Sequence, residues 1–475
     1  MRPLSLLRCF LRAVGALVVV LAGPAPSLAV ESAAASTTPI LELPRTGLTA
    51  DDIAVVINDA DPYSVEVGAH YAAARRITSE RVIHLRFPAG RGVLTAEEFG
   101  ALKSQLDAKT PPQVQAYALA WAQPYGVACM SVTAAVAFGF DRAHCADGCR
   151  LIKASAYFDS DSTQPSRDLG MRPAMLLAAR DVRDAHDLVE RGVRADGRWP
   201  DGRAYLMRTS DPQRDVRAAA YVQARRRIGA GYPIDIVKAD ALAGRRDVMF
   251  YFTGLAHVAG IGTNAFLDGA LADHVTSSGG VLIDSPQMSV LDWIHAGVTG
   301  SYGTAFEPCN FRQKFPDVGV LMARYLAGET LIEAYWKSVQ MPGQGVFVGD
   351  PLARPFGGVR QVRVGNAYEV STRALRPGRY QLQAAPSGVG PYRSVGRIEV
   401  VDPGIQRVRL PVTPPRAYRL VREPLVGGAG ALSGLSRSSI AWSLSRMPPH
   451  ILNKASTSDD STSLGSRWVV RRSTG

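Results

Sequence analysis

Apolar and polar positions follow two rhythms along this chain. Between residues 49 and 356, short apolar runs alternate with stretches of helical spacing. Ile53–Asn58 (IAVVIN), 82–87 (VIHLRF) and 116–122 (AYALAWA) read as strands. The 63–77 stretch sets Val65, Ala69, Ala72, Ala73 and Ile77 at helical spacing. Thr95-Ala-Glu-Glu98 is a capping box that opens a helix. After an irregular stretch at 139–170 the rhythm resumes, with strands at 174–179, 204–209 and 234–238 and helices at 181–193 and 213–228. A second block opens at Asp247. It predicts strand 248–253, a short helix at 269–277, strand 281–284, helix 288–296, strand 298–304 and helices at 318–326 and 330–339. Strands separated by helices predict an α/β domain over 49–356 with a mostly parallel sheet flanked by helices, in two βα blocks (about 49–240 and 247–356).

The texture changes after Phe356. Residues 357–423 lose the helical period and alternate as short strands between turn clusters such as Arg376-Pro-Gly-Arg379, which predicts a small β-sandwich. From Pro424 to Gly475 the chain is a basic, Ser/Gly-rich tail with no sustained period, expected to be disordered. At the other end, Arg2, Arg8 and Arg12 precede an apolar run from Ala13 to Ala22, and Ser27-Leu28-Ala29 fits the small-x-small rule. Residues 1–29 therefore read as a cleavable signal peptide and 30–48 as a linker. The apolar run of about ten residues falls short of the roughly 20 that span a bilayer. The mature chain is expected in the periplasm, outside the cell or at its surface, with no transmembrane segment.

The formal net charge of +12 includes three arginines of the signal peptide and the excess in the tail. With other arginines scattered through amphipathic helices, this charge reads as solvation or attraction to acidic envelope polymers, not as a nucleic-acid footprint. Export also changes the reading of the four cysteines beyond the signal peptide, Cys129, Cys145, Cys149 and Cys309. An even count favours disulfides. A local Cys145–Cys149 bridge across HCADGC would leave Cys129 to pair with Cys309. The rival is a metal site on His144, Cys145 and Cys149, which lacks a second ligand pair at zinc spacing.

The second block carries a family resemblance. FYFTGLAHVAG, SPQMSVLDWIHAGVTGSYGTAFEPCNFRQKFP, YLAGETLIEAYWKSV and QGVFVGDPLARPF, with VVINDADPYSVEVGAHYAAARRI near the mature N-terminus, resemble an uncharacterised family of exported bacterial proteins. That family occurs with exosortase/PEP-CTERM sorting systems, and the resemblance spans roughly 50–420. The chain has no Pro-Glu-Pro sorting tail of its own. At the level of fold, the order around Gly254, Ser301-Tyr302-Gly303, Gly328 to Ala334 and Gly349-Asp350-Pro351 is similar to gingipain-like cysteine peptidases of the caspase-like fold.

That resemblance implies a His after one strand and a Cys after the next, the imidazole pairing with the thiolate. Aligned on Gly254, the His place holds Leu255, with His257 two residues on; the expected next strand ends at Ser285, with no Cys. His257 and Ser285 are therefore the candidate catalytic pair, although no Gly-x-Ser-x-Gly elbow supports Ser285. Fold analogy does not transfer activity. The expectation is a non-catalytic or altered peptidase-like protein that binds envelope polypeptide or polysaccharide. The alternatives are a Ser285/His257 hydrolase and a structural module docking to surface polymer.

Asp59 and Asp61, just after the first strand, stand where open α/β sheets place ligands and could hold Ca²⁺ or Mg²⁺; the competing reading is a turn into a capped helix. Asp159 and Asp161 in FDSDS offer a second oxygen-rich loop, against a solvated turn. Trp121-Ala-Gln-Pro-Tyr125 at a strand end could line a sugar or peptide cleft, against core packing.

Overall fold

Runs of Val, Ile, Phe and Ala that are apolar on both sides cannot tolerate a wet face, and all of them enter one sheet covered by helices. The structure, a computed structural model, describes residues 39–402, 404–411 and 417–423. The signal peptide, most of the linker and the tail lie outside these residues. The strands are β1 (Ile53–Asn58), β2 (Val82–Leu85), β3 (Ala116–Leu119), β4 (Ala174–Leu176), β5 (Arg203–Arg208), β6 (Ile234–Lys238), β7 (Val248–Thr253), β8 (Phe266–His274), β9 (Gly300–Thr304) and β10 (Gly345–Gly349). They form one ten-stranded sheet in the order β6-β5-β7-β8-β9-β10-β4-β3-β1-β2.

The sheet is mostly parallel: β2, β1, β3 and β4 pair in parallel, as do β6, β5, β7, β8 and β9. β10 runs antiparallel to β9 and meets β4 through Val348 opposite Leu176. The expected break between blocks near residue 240 does not divide the sheet. β5 and β6 lie beyond β7 at the far edge, so the second half of the sheet begins at Arg203.

Two expected elements are corrected. The 269–277 helix is strand β8, and 281–284 is not a strand. Leu267-Asp-Gly-Ala-Leu-Ala272 is rich in helix formers, yet Gly269 takes φ +89°, outside the helical region, and Ala270 to Ala272 are wholly buried between β7 and β9. Tertiary burial overrides the local preference here.

Residues 357–423 form two smaller sheets, one of Val359–Val364, Ala367–Thr372 and Gln406–Pro411, and one of Gly378–Ala385, Arg393–Val400 and Ala417–Arg422. Tyr368, Val370, Val408 and Leu410 of the first share one apolar cluster with Tyr380, Val400, Tyr418 and Leu420 of the second. The end of the expected linker is not free chain. Ile40–Glu42 adds a strand parallel to Ala417–Arg422, and the Leu48 backbone N–H donates to Glu333 Oε2 at 2.8 Å. Three residues are too few to show a period, which is why the sequence reads them as linker.

The cysteines pair, but crosswise to the expected scheme: Cys129 with Cys145 and Cys149 with Cys309, at Cα separations of 5.3 and 5.6 Å. Cys145 turns into the core at 1% exposure, whereas Cys149 sits on the exposed side of the loop, so the two face different neighbours. The zinc reading loses its thiolates to these bonds, and His144 is buried with its ring stacked on Phe138, centroids 4.6 Å apart.

Candidate functional site

Parallel strands leave loops at their carboxyl ends, and the loops after β5, β8 and β9 build a cleft there. Its volume is about 390 Å³. The lining includes Gln213 and Arg214 after β5, Val275, Thr276 and Ser277 after β8, and Glu307 to Asn310 after β9. The Cys149–Cys309 disulfide belongs to the same lining and ties the irregular excursion to the rim.

The segment after β8 is held by Gln287. Its Oε1 accepts from Thr276 Oγ1 at 2.5 Å, from the Ser278 backbone N–H at 2.9 Å and from Ser278 Oγ at 3.0 Å. At the rim, Glu307 Oε1 accepts the Cys309 N–H at 2.7 Å, and Arg214 Nη1 donates to Asp211 Oδ2 at 2.7 Å. The wall is therefore a set of hydroxyls, amides and charges fixed by their neighbours, suited to hydrogen-bonding an extended ligand.

The structure does not join the candidate catalytic pair. The Ser285 hydroxyl donates to the Ser278 carbonyl at 2.8 Å, and its oxygen accepts the Gln287 N–H at 3.3 Å. His257 is exposed on the turn after β7, and among the described residues no hydrogen bond links it to Ser285. Ser285 acts as a turn-stabilising residue in this arrangement. The strand that follows β7 is β8, so the position implied for a Cys falls at 275–277, which reads Val-Thr-Ser.

The histidine that does stand at a strand end is His274, opposite Thr253. Reading 269–277 as a helix conceals it. Its Nε2–H donates to the Met288 carbonyl at 3.0 Å, and the Trp293 Nε1–H donates to its Nδ1 at 2.9 Å. Both nitrogens are used, which fixes one neutral tautomer. Burial pushes its pKa down to about 3. This is a structural histidine, packed away from the cleft against Trp293.

Because the folded-state value lies below the ordinary 6.5, His274 contributes stability that is complete above that pH and is lost as pH falls toward 3. Between pH 7 and 5 the unfolded chain takes up this proton while the folded one does not, which is expected to remove about 2 kcal/mol. His70 and His144, also shifted down by burial, act in the same direction. Denaturant midpoints at the two pH values measure this, and the pH slope is expected to shrink in His274→Gln. An unchanged slope contradicts the neutral assignment.

A buried ion pair and a buried lysine near this end of the sheet are not legible in the sequence. Arg217 and Asp273 form an ion pair, Nη1 to Oδ1 at 2.5 Å, with Arg217 Nη2 also donating to the Thr253 carbonyl at 2.8 Å. Lys314 is wholly buried with no hydrogen-bond partner for Nζ, and burial lowers its pKa to about 8. Neither could be found from spacing, since Arg217 and Asp273 lie on a helical turn and a strand 56 residues apart.

The expected metal positions are engaged by protein. Asp61 caps helix Pro62–Ala74, accepting the Tyr63 N–H at 3.0 Å, and Asp59 pairs with His84 Nδ1 at 2.7 Å. Asp159 and Asp161 are held by arginines, Asp161 with its side chain still largely exposed: Arg227 and Arg324 reach Asp159, and Arg324 and Arg376 reach Asp161. Among the described residues no group of three or more His, Cys, Asp or Glu is placed to hold a metal ion. Trp121 is 1% exposed, packs edge-on against Phe87 and donates to the Pro124 carbonyl at 3.2 Å, which is core packing.

Compared with known proteins, the chain matches no family model, no curated protein and no solved structure. Among the described residues, no helix is long and apolar enough to cross a membrane.

Proposed function

We propose that this is an exported cell-envelope protein with a caspase-like sheet and a β-sandwich, whose strand-end cleft binds an extended polypeptide without cleaving it. The carrying observation is the 390 Å³ cleft after β5, β8 and β9, lined by Thr276, Ser277, Arg214 and Asn310, with Leu255 and 275–277 standing where the peptidase resemblance calls for His and Cys. The Ser285 hydroxyl is committed to a backbone carbonyl, which speaks against Ser285 as the nucleophile of a hydrolase. Two disulfides are compatible with an oxidising compartment and with the signal peptide read from the sequence. The exosortase-type surface sorting context of the bound polypeptide is part of this proposal and rests on the family resemblance read from the sequence.

The test uses the full-length gene product expressed with its own leader. The expected mature N-terminus is Val30, found outside the cytoplasm, and a fluorophosphonate probe is expected to leave the protein unlabelled. Retention in the cytoplasm contradicts export. Labelling that disappears in Ser285→Ala contradicts the non-catalytic reading and restores the hydrolase.

A further inference from the structure

A second, smaller cavity adjoins the strand-end cleft. Phe315 lines both, and the chain leads from one to the other: Asn310 borders the cleft, and Arg312 and Gln313 border the cavity. Likewise Arg214 borders the cleft, while Arg217 and Ala220, on the helical turn Asp215–Ala220 that follows it, border the cavity. The volume of this cavity is about 130 Å³.

The buried part of its lining is Phe315, Pro316, Val318, Ser338 and Arg217. Three of these side chains are apolar, and the other two have their polar atoms engaged or enclosed. Ser338 Oγ donates to the Tyr335 carbonyl at 2.7 Å. Arg217 gives Nη1 to Asp273 and Nη2 to the Thr253 carbonyl, and its Nε, which has no partner, is shut off from solvent. Phe158 and Ala220 add apolar wall that is partly exposed. Phe158 is fixed through its neighbour Asp159, which Arg227 and Arg324 grip and whose N–H donates to the Lys337 carbonyl at 2.9 Å. The exposed lining residues are Arg312 and Asp317, of opposite charge, and the side chains of Gln313 and Gln340 are half-buried. The entrance therefore selects neither sign of charge, and the floor offers a ligand no free donor or acceptor side chain.

We propose that this cavity is a subsite of the cleft that receives one phenylalanine-sized apolar side chain of the bound polypeptide. An apolar cavity of roughly 150 Å³ holds a benzene molecule, so a cavity of about 130 Å³ matches a single ring. Burying such a side chain against Phe315, Val318 and Phe158 is favourable, whereas a lysine or aspartate would bring its charge to a floor with no partner for it. Arg217 does not alter this, because Asp273 already neutralises it. The subsite rests on the reading of the cleft as a polypeptide site and adds which side chain that site selects.

Isothermal titration calorimetry of the full-length mature protein with acetyl-Ala-Ala-X-Ala-Ala-amide peptides, X being Phe, Ala, Lys or Asp, tests this. The Phe peptide is expected to bind about tenfold or more tighter than the Ala peptide, and the Lys and Asp peptides no tighter than Ala. Ala220→Phe, which fills the cavity from a partly exposed position, is expected to bring all four peptides to one affinity while binding persists. Ser277→Trp, which fills the cleft, is expected to abolish binding of all four. The wild-type series decides the matter without any variant. Equal affinities for the four peptides, or tightest binding with Lys or Asp, overturn the subsite and leave the cleft standing, as does a Phe preference that survives in Ala220→Phe. Binding of none of the four overturns the cleft reading and the subsite together.

Discussion

Arg217→Ala is expected to cost the fold about 3–5 kcal/mol, because it strands a buried carboxylate. The Arg217 side chain is 4% exposed and that of Asp273 1%. Each ion has already left water, and their mutual attraction in a dry interior offsets that loss only while both are present. Burial pushes the Asp273 carboxyl up, the neighbouring guanidinium pulls it down, and its Oδ2 already lacks a partner. Truncating Arg217 also frees the Thr253 carbonyl at the end of β7. Guanidinium chloride titration at pH 7 measures the loss as a lower midpoint. Replacing both partners with apolar residues, Arg217→Met with Asp273→Leu, is expected to cost much less than Arg217→Ala alone, since neither leaves an uncompensated charge. Equal midpoints for Arg217→Ala and the wild type contradict this account.

Glu329→Ala is expected to be of similar size, about 3–5 kcal/mol, for the opposite reason: it strands cations. The Glu329 side chain is 1% exposed and accepts from Lys337 Nζ at 2.7 Å; Lys337 itself is wholly buried. Glu329 also pairs with Arg324 at 3.3 Å and with Arg376. Its loss leaves Lys337 with Glu333 alone, 3.9 Å away, whose carboxyl burial has already pushed up. Arg376 belongs to the 357–423 segment, so the same substitution removes one of that segment's ties, the pair with Glu329, and leaves Arg376 with Asp161 alone. Amide exchange around Ala374 to Tyr380 is expected to quicken in Glu329→Ala. Unchanged exchange there, with an unchanged midpoint, contradicts the assignment.

These clusters mark the boundary of what the sequence reveals. β1, β7 and the capped helix Ala96–Lys109 are legible because β-branched runs and a capping box are local signals. β8 is not legible, because a strand buried on both faces has no period and its Ala and Leu favour the wrong element. The cysteine count points to disulfides, but the partners depend on where the turn after β9 brings Cys309, which only the assembled sheet decides. The arginines that grip Asp159 come from 68 and 165 residues away, so a chain-local reading finds an oxygen-rich loop and misses the clamp. The cleft draws on loops after β5, β8 and β9, and of its lining the sequence singled out only Cys149 and Cys309, for their thiols. Ser285 follows the strand that the sequence predicts at 281–284; with β8 at Phe266–His274, the residues at the strand end are Thr276 and Ser277.

The central claim is that the cleft after β5, β8 and β9 holds a polypeptide and leaves it whole. The most direct measurement is mass spectrometry of a randomised peptide pool captured by the full-length mature protein and by Ser277→Trp, whose indole fills the cleft. The expected result is a set of enriched peptides recovered intact from the wild type and absent from Ser277→Trp. Cleaved peptides, or the same enrichment from both proteins, contradict the claim.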